Sequence, residues 1–248
     1  MWAMPMSKTS SLSQRVADDL RRDIVAGVLA PGAWLKTKQL AARYGVSANP
    51  VREALWRLQG EGFVVANPNQ GARVRTVDDD FVRNVFEIRE AIEPIFVRRF
   101  CQRATPGDLI RLRAAAAAFA EVAVGEPSHF EALEAANRKF HAIILEDEFN
   151  IPAVEVMERY AGIINATRAK LPVTRSRLRQ RIAQHGEIVD AIALGDAETA
   201  ARVAVAHVRG AGEDLLTLMR QARLNEARAG TLRGPAAPVR KAADHTTV

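Results

Sequence analysis

The chain has 248 residues, 48% of them hydrophobic and 26% charged, values at which a soluble protein can bury one large core or two modest ones. Its single cysteine, Cys101, excludes an intramolecular disulfide and a cysteine-based zinc site, and fits a reducing compartment. No run approaches the ~18 consecutive apolar residues of a membrane helix, and residues 1–11 lack the apolar stretch of a secretory signal, so a cytoplasmic location is expected.

Residues 1–10 show no periodicity and are expected to be disordered. Leu12, Val16, Leu20 and Ile24 then recur every four residues, the apolar face of a helix that Gly27 and Pro31-Gly32 end. Thr37 is placed to cap a short helix carrying Leu40, Ala41 and Tyr44, which Gly45 closes. Ser47 is placed to cap a third helix. Pro50 is tolerated in its first turn, and Val51, Ala54, Leu55 and Leu58 form its buried stripe. Two extended runs, 63–66 and 72–77, flank Asn67-Pro68-Asn69-Gln70-Gly71 and read as a hairpin. From residue 78 onward only helices are expected, at about 78–103 (kinked at Pro94), 106–124, 127–149, 151–170, 175–194 and 196–224. The tail 225–248 is expected to be disordered. The predicted organisation is mainly α: a domain at 11–77 and an antiparallel six-helix bundle at 78–224.

The net charge of +6 is unevenly spread. Residues 1–77 carry 11 Lys/Arg against 5 Asp/Glu, whereas 78–248 carry 24 of each. A basic segment of this kind suits a polyanion partner, and it equally suits an ordinary solvated face. The local pattern favours the first reading. Two helices joined by a tight Gly45-Val46-Ser47 turn and followed by a hairpin make a winged helix-turn-helix, whose second helix enters the major groove of DNA by its N-terminal end. The face opposite the buried stripe carries Ala48, Asn49, Arg52 and Glu53, next to the Ser47 cap. Arg can grip guanine and Asn can pair with adenine. Lys36, Lys38, Arg57, Arg73 and Arg75 are candidate phosphate contacts, and the turn at Gly71 lets backbone approach a minor groove.

The run Val46-Ser47-Ala48-Asn49-Pro50-Val51-Arg52-Glu53-Ala54-Leu55, with Leu58, Glu61-Gly62 and the Gly71 wing, strongly resembles the GntR family of bacterial transcription regulators. That resemblance covers 11–77. It implies a dimer on a short palindromic operator, with Lys38 and Arg52 as carried-over DNA contacts. Family members usually have arginine after the Ser cap. Ala48 stands there in this chain, so the base preference at that position differs.

All five histidines fall in the second part. Asn137 and His141, four apart, share a helix face. His185 is flanked by Ile182, Ile188, Val189 and Ile192, and His207 by Val203 and Ala211, so both point inward. Three imidazoles and one side-chain oxygen from three helices suit a divalent ion, although each alone also suits a core histidine with an ordinary partner. His129 and His245 read as solvent-exposed. Arg89 shares a face with Val85, Phe86, Ile92 and Phe96, where a charge needs either an anion or an ion pair such as Glu93. Arg168, beside Ile164 and Asn165, is a second candidate of the same kind.

Asn137-Arg138-Lys139-Phe140-His141, Gln184-His185 with Ile188, Ala191-Ile192 and Gly195-Asp196, then Ala200 and His207, resemble the FCD effector domain of the FadR subfamily, and six helices suggest its VanR-like branch. The resemblance implies a metal held by Asn137, His141, His185 and His207. Asn137 stands where many such domains have aspartate. It also implies an arginine of the first bundle helix, here Arg89, on an effector carboxylate. The expected function is therefore a repressor, controlled by a small organic acid at a site holding Zn²⁺, Ni²⁺, Co²⁺ or Mn²⁺. A regulator for which the ion itself is the signal and a metal-dependent hydrolase are the alternatives, although no residue stands out as a general base or nucleophile.

Overall fold

The structure is a computed structural model that describes residues 11–67, 71–125, 130–146 and 150–232. The expected disorder at 1–10 and 233–248, the hairpin tip at 68–70, His129 and His245 lie outside the described residues.

The N-terminal part consists of α1 (Leu12–Val25), β1 (Trp34–Leu35), α2 (Thr37–Tyr44), α3 (Ala48–Gly60), β2 (Val64–Asn67) and β3 (Gly71–Val74). Ser11 caps α1 by accepting from the Gln14 N–H. Val16, Ala17, Leu20 and Ile24 bury the inner face of α1, while Leu12 is exposed. Lys36, not Thr37, occupies the cap position of α2, and Ser47 sits at the cap of α3 without bonding to it. Gly45 ends α2 in the left-handed conformation at φ 65°. Val51, Ala54, Leu55 and Leu58 bury the inner face of α3 as their spacing predicts. The wing has three strands in the order β1-β3-β2, all antiparallel, so the expected hairpin gains a third member. Trp34 pairs with Arg73, and Val65 also pairs with Arg73 from the other side. A two-residue strand has no periodicity to read, and only its pairing defines it.

The rest is α4 (Asp79–Arg103), α5 (Pro106–Val124), α6 (Phe130–Leu145), α7 (Ile151–Arg168), α8 (Arg175–Ala193) and α9 (Ala197–Leu232). Asp78, Asn150 and Thr174 cap their helices, and Thr105 and Asp108 cap α5 reciprocally, as a short polar residue before an apolar run should. Helix α4 runs through Pro94 as one helix. Helices α4 and α9 lie antiparallel. Arg220 and Arg223 near the end of α9 meet Asp79 at the start of α4, and Arg98 near the end of α4 meets Glu198 at the start of α9. Residues 225–232 continue α9, against the disorder expected there. Ala, Arg, Glu and Leu favour helix by intrinsic propensity, so loss of an apolar stripe marks the end of burial and not the end of the helix.

Phe96, Phe100, Leu112, Phe140, Ile188 and Ile192 anchor the main bundle core. Helix α7 belongs to two cores. Ile163 is buried within the winged-domain cluster, with Tyr160 and Ala166 packed against it, while Ile164 lies among Val82, Val85, Phe86, Val208 and Leu215. Two glycines permit this contact. A Cβ on Gly162 would stand 3.1 Å from the Phe63 ring, and one on Gly62 (φ 78°) would stand 2.8 Å from Tyr160 and 3.0 Å from the Arg159 carbonyl oxygen. Arg75 closes the joint. Its Nε donates to the Gly62 carbonyl, and its guanidinium lies over the rings of Phe81 and Tyr160. The phosphate role expected for Arg75 therefore fails, because the side chain is spent between the two parts.

Gly62→Ala is expected to lower stability by about 2 kcal/mol or more in urea unfolding, from left-handed strain plus the clash. Gly45→Ala, at a similar φ but with no atom within 4 Å of an added Cβ, carries only the backbone cost of about 1 kcal/mol.

Candidate functional site

The outer face of α3 is open. Ser47, Asn49, Arg52, Glu53 and Arg57 are exposed, as are Lys36 and Lys38 on the neighbouring turn of α2. Arg52 donates to Asn49 Oδ1 at 3.0 Å, which holds the guanidinium on the outer face of the helix. Gly71 lies exposed at φ 89° at the start of β3, beside the wing tip. One residue of this face gave no signal in the sequence. Trp56 is 70% exposed, one helical turn after Arg52. Only its facing, away from Val51, Ala54, Leu55 and Leu58, identifies it.

Within the bundle, α6 supplies Asn137 and His141, α8 supplies His185, and α9 supplies His207. The imidazoles of the three histidines converge. One ring nitrogen from each lies within 4.8 Å of the others. Ring centroids of His185 and His207 are 4.9 Å apart, and those of His141 and His207 5.6 Å. Phe140 stacks on His185 at 4.1 Å, and Phe119 packs at 4.6 Å. This apolar casing penalises the charged form. Burial holds all three histidines below the usual imidazole value, His185 at about 2, and the neighbouring imidazoles add to the shift for His185 and His207. Each ring is therefore neutral at pH 7, the form that ligates metals.

The hydrogen-bond ledger of this cluster is incomplete. Among the described residues, Asn137 Oδ1, His141 Nε2 and both nitrogens of His185 are buried without a hydrogen-bond partner. Native cores leave such atoms orphaned rarely, because each costs about 1–3 kcal/mol. One ring nitrogen from each histidine at mutual reach, with unpartnered nitrogens among them and an unpartnered amide oxygen on the same helix face as His141, fits a cation with nitrogen and oxygen ligands. His207 Nδ1 lies 3.1 Å from Gln184 Oε1, and an amide oxygen only accepts. That bond fixes the proton on Nδ1 and turns the free Nε2 lone pair outward from Gln184. Support of this kind behind a ligating imidazole tunes its orientation and basicity. Gln184 thus joins the site, although glutamine beside a buried histidine carries no distinct signal in sequence.

The cluster borders a cavity of about 320 Å³, lined among others by Arg89, Glu93, Asn137, His141, Arg168 and His207. The two arginines differ. Arg89 donates to Glu93 Oε1 at 2.7 Å and lies over Phe86, so it takes the ion-pair alternative. Arg168 makes one long bond, 3.3 Å to the Ala211 carbonyl, and among the described residues no carboxylate lies within ion-pair distance of it. Burial pulls its guanidinium down to about 9, so it is still charged at pH 7. A half-buried cation with no carboxylate within ion-pair distance among the described residues is costly, and this ranks Arg168 ahead of Arg89 as a candidate anion seat.

His185→Leu removes two orphaned nitrogens from an apolar casing. In protein stripped of metal by chelator it is expected to raise stability by about 1 kcal/mol. A loss of stability in urea unfolding would show that the ring is already satisfied.

Family models match both parts of the chain: bacterial regulatory proteins of the gntR family at residues 12–74, and the FCD domain at residues 84–210. The HTH-type transcriptional repressor RspR of Escherichia coli (strain K12) is 36% identical over 107 residues, which cover 43% of this chain and 47% of that protein, about half its length. An uncharacterized HTH-type transcriptional regulator, YdhC of Bacillus subtilis (strain 168), is 23% identical over 208 residues, 84% of this chain and 92% of that protein. Among solved structures, McbR/YncC of E. coli superposes with a TM-score of 0.62 at 25% identity, covering 86% of this chain and 100% of that one. These relatives and families are regulators and not enzymes. With both halves matched, the chain belongs to the gntR family of bacterial transcription regulators that join a winged helix-turn-helix to an FCD effector domain.

Proposed function

We propose that this regulator is a homodimeric repressor that leaves its double-stranded operator when a small organic acid enters the metal-containing cavity of the helical domain. One observation carries the reading: three neutral imidazoles converge beside a cavity lined by His141, His207, the orphaned Asn137 and Arg168, an arginine with no carboxylate within ion-pair distance among the described residues. Asn137, His141, His185 and His207 would hold the ion, and Zn²⁺, Ni²⁺, Co²⁺ or Mn²⁺ all suit this set. A bound divalent ion would supply a positive, Lewis-acidic anchor for a carboxylate, undiminished by any anionic protein ligand among the four. Arg168, and more weakly Arg89, would orient the carboxylate by their planar forks.

Helix α7 links this cavity to DNA. Met157, Ala161, Ile164, Asn165 and Arg168 line the cavity, Tyr160 lines it and also packs on the winged domain, and Ile163 is buried in the winged-domain core. An acid that draws Arg168 toward itself shifts α7, and the recognition helices of the dimer leave the spacing their half-sites require. Its effect is limited to its difference in affinity for the two arrangements. On the DNA side, Lys38, Ser47, Asn49, Arg52 and the backbone at Gly71 meet the duplex, with Trp56 laid along the groove wall beside Arg52. A cytoplasmic location accords with this role.

Elemental analysis of protein purified without added metal or chelator is expected to find close to one ion per chain. A thermal-shift panel of carboxylic acids should raise the melting temperature, and the acid that does so should release a duplex selected from random DNA. Much less than one ion overturns the metal site. Release by the ion alone makes the ion the signal. Arg168→Gln should weaken the acid at least about tenfold, the value of a charged hydrogen bond, with metal content unchanged. Arg52→Ala should weaken the selected duplex by about 1–3 kcal/mol and relax its consensus at one base.

A further inference from the structure

A second cavity, of about 280 Å³, lies on the far side of Arg168. It sits between the Leu171–Thr174 connection, the first turns of α8 and the middle of α9, and it shares Arg168 and Glu134 with the first cavity. We propose that the two cavities form one bipartite site and that the effector is a dicarboxylate, with its second carboxylate held in this further cavity. The proposal rests on the organic-acid reading above and adds the charge and reach of the ligand.

Charge balance supports it first. The two cavities together are lined by five arginines, at 89, 138, 168, 177 and 181, and four carboxylates, at 93, 134, 158 and 214. Three of the acids are assigned: the buried Glu93 to Arg89, the buried Glu134 to Arg181, and the partly exposed Asp214 to Arg177. Of the two arginines that remain, Arg138 is exposed to solvent, whereas Arg168, at the junction, is half-buried with no carboxylate within ion-pair distance among the described residues. A monocarboxylate shared between Arg168 and the histidine cluster would leave the second cavity with nothing to bind, yet that cavity is built from charged groups. Arg177 and Arg181 are only 10% and 9% exposed.

Bond lengths support it independently. Arg181 reaches Glu134 Oε1 at 3.4 and 3.5 Å, well beyond the ~2.7–2.9 Å of a charge-assisted bond. Arg168 spends one of its five donors, at 3.3 Å. The buried fork of Arg181 and the half-buried fork of Arg168 therefore hold donors in reserve, and both line the further cavity. Its apolar wall, from Leu171, Leu215 and Leu218, suits the methylene chain that joins two carboxylates.

The test measures binding to the full-length protein, with its metal as purified, by calorimetry at fixed ionic strength. The probes are acetate, butyrate and hexanoate against malonate, succinate, glutarate and adipate. One dicarboxylate length is expected to bind about tenfold or more tightly than the monocarboxylate of equal carbon number, as a second charged contact requires. Leu218→Trp fills the further cavity, and Gln221→Glu puts a negative charge at its exposed rim. Each should remove most of that preference and leave monocarboxylate affinity within about twofold. Gln221→Glu replaces an exposed side chain, so it keeps the test informative if Leu218→Trp does not fold. Equal affinity for the two series, or a preference that survives Gln221→Glu, overturns the bipartite site while leaving the organic-acid reading intact. Binding of no acid at all overturns both.

Discussion

The contact on which the rest of the molecule depends is the seating of α7 against the wing at backbone distance. Gly62 and Gly162 lack the atoms that would hold the two surfaces apart, and Arg75 fills the remaining gap by bonding to the Gly62 carbonyl beneath two aromatic rings. A loose joint between domains is the usual expectation, because such interfaces tend to be small and polar. Here the joint contains a buried isoleucine, an edge-on Phe81–Tyr160 pair at 5.5 Å and a cation-π sandwich. On the proposed switch, the winged domain would move with α7 as a body. A shift of α7 at its cavity face would then reach α3 through this joint.

Opposite constraints govern the cavity. The bundle core is phenylalanine-rich, and phenylalanine contributes packing area with no hydrogen-bonding capacity. Placing three imidazoles and an amide oxygen among such side chains sacrifices stability, since the orphaned atoms gain nothing from their neighbours. The burial that makes these groups costly also keeps the histidines neutral and keeps water from competing for their lone pairs. Functional sites are where proteins accept such conflicts between local preference and stable packing. Arg168 repeats the pattern with charge: it is confined, short of acceptors, and poised between two chambers.

Much of this was legible in sequence, for reasons particular to each residue. His141, His185 and His207 sit on long amphipathic helices, where neighbours three and four positions away reveal which way a side chain faces. The inner faces of α1 and α3 follow from the same rule. Arg89 was legible only as a choice between an anion and Glu93. Its i,i+4 spacing permits the pair, but only tertiary packing decides whether Glu93 is drawn elsewhere. Arg168 could not be ranked above it, because its isolation depends on where three other arginines find their carboxylates. The second cavity is formed by a connection and two helix surfaces distant in sequence, and no periodicity describes such a void. Ser47 takes the cap position its place in the sequence predicts but makes no cap bond, and Thr37 falls one residue inside its helix, with Lys36 at the cap. At an exposed recognition helix, a hydroxyl left unbonded to its own backbone is free for an outside partner.

These features assign different physical tasks to one helix. The face of α7 toward the wing is apolar and tightly fitted, so displacing it breaks many small contacts at once and favours discrete positions over a continuum. Its cavity face carries a lone cation that few protein groups restrain. On the proposed reading, a ligand acting on Arg168 would need only modest energy to bias α7, because the charge it would engage has no protein carboxylate within ion-pair distance among the described residues. Had Arg168 been paired as Arg89 is, an entering acid would first have to displace a resident anion, and the difference in affinity available to move the winged domain would shrink accordingly.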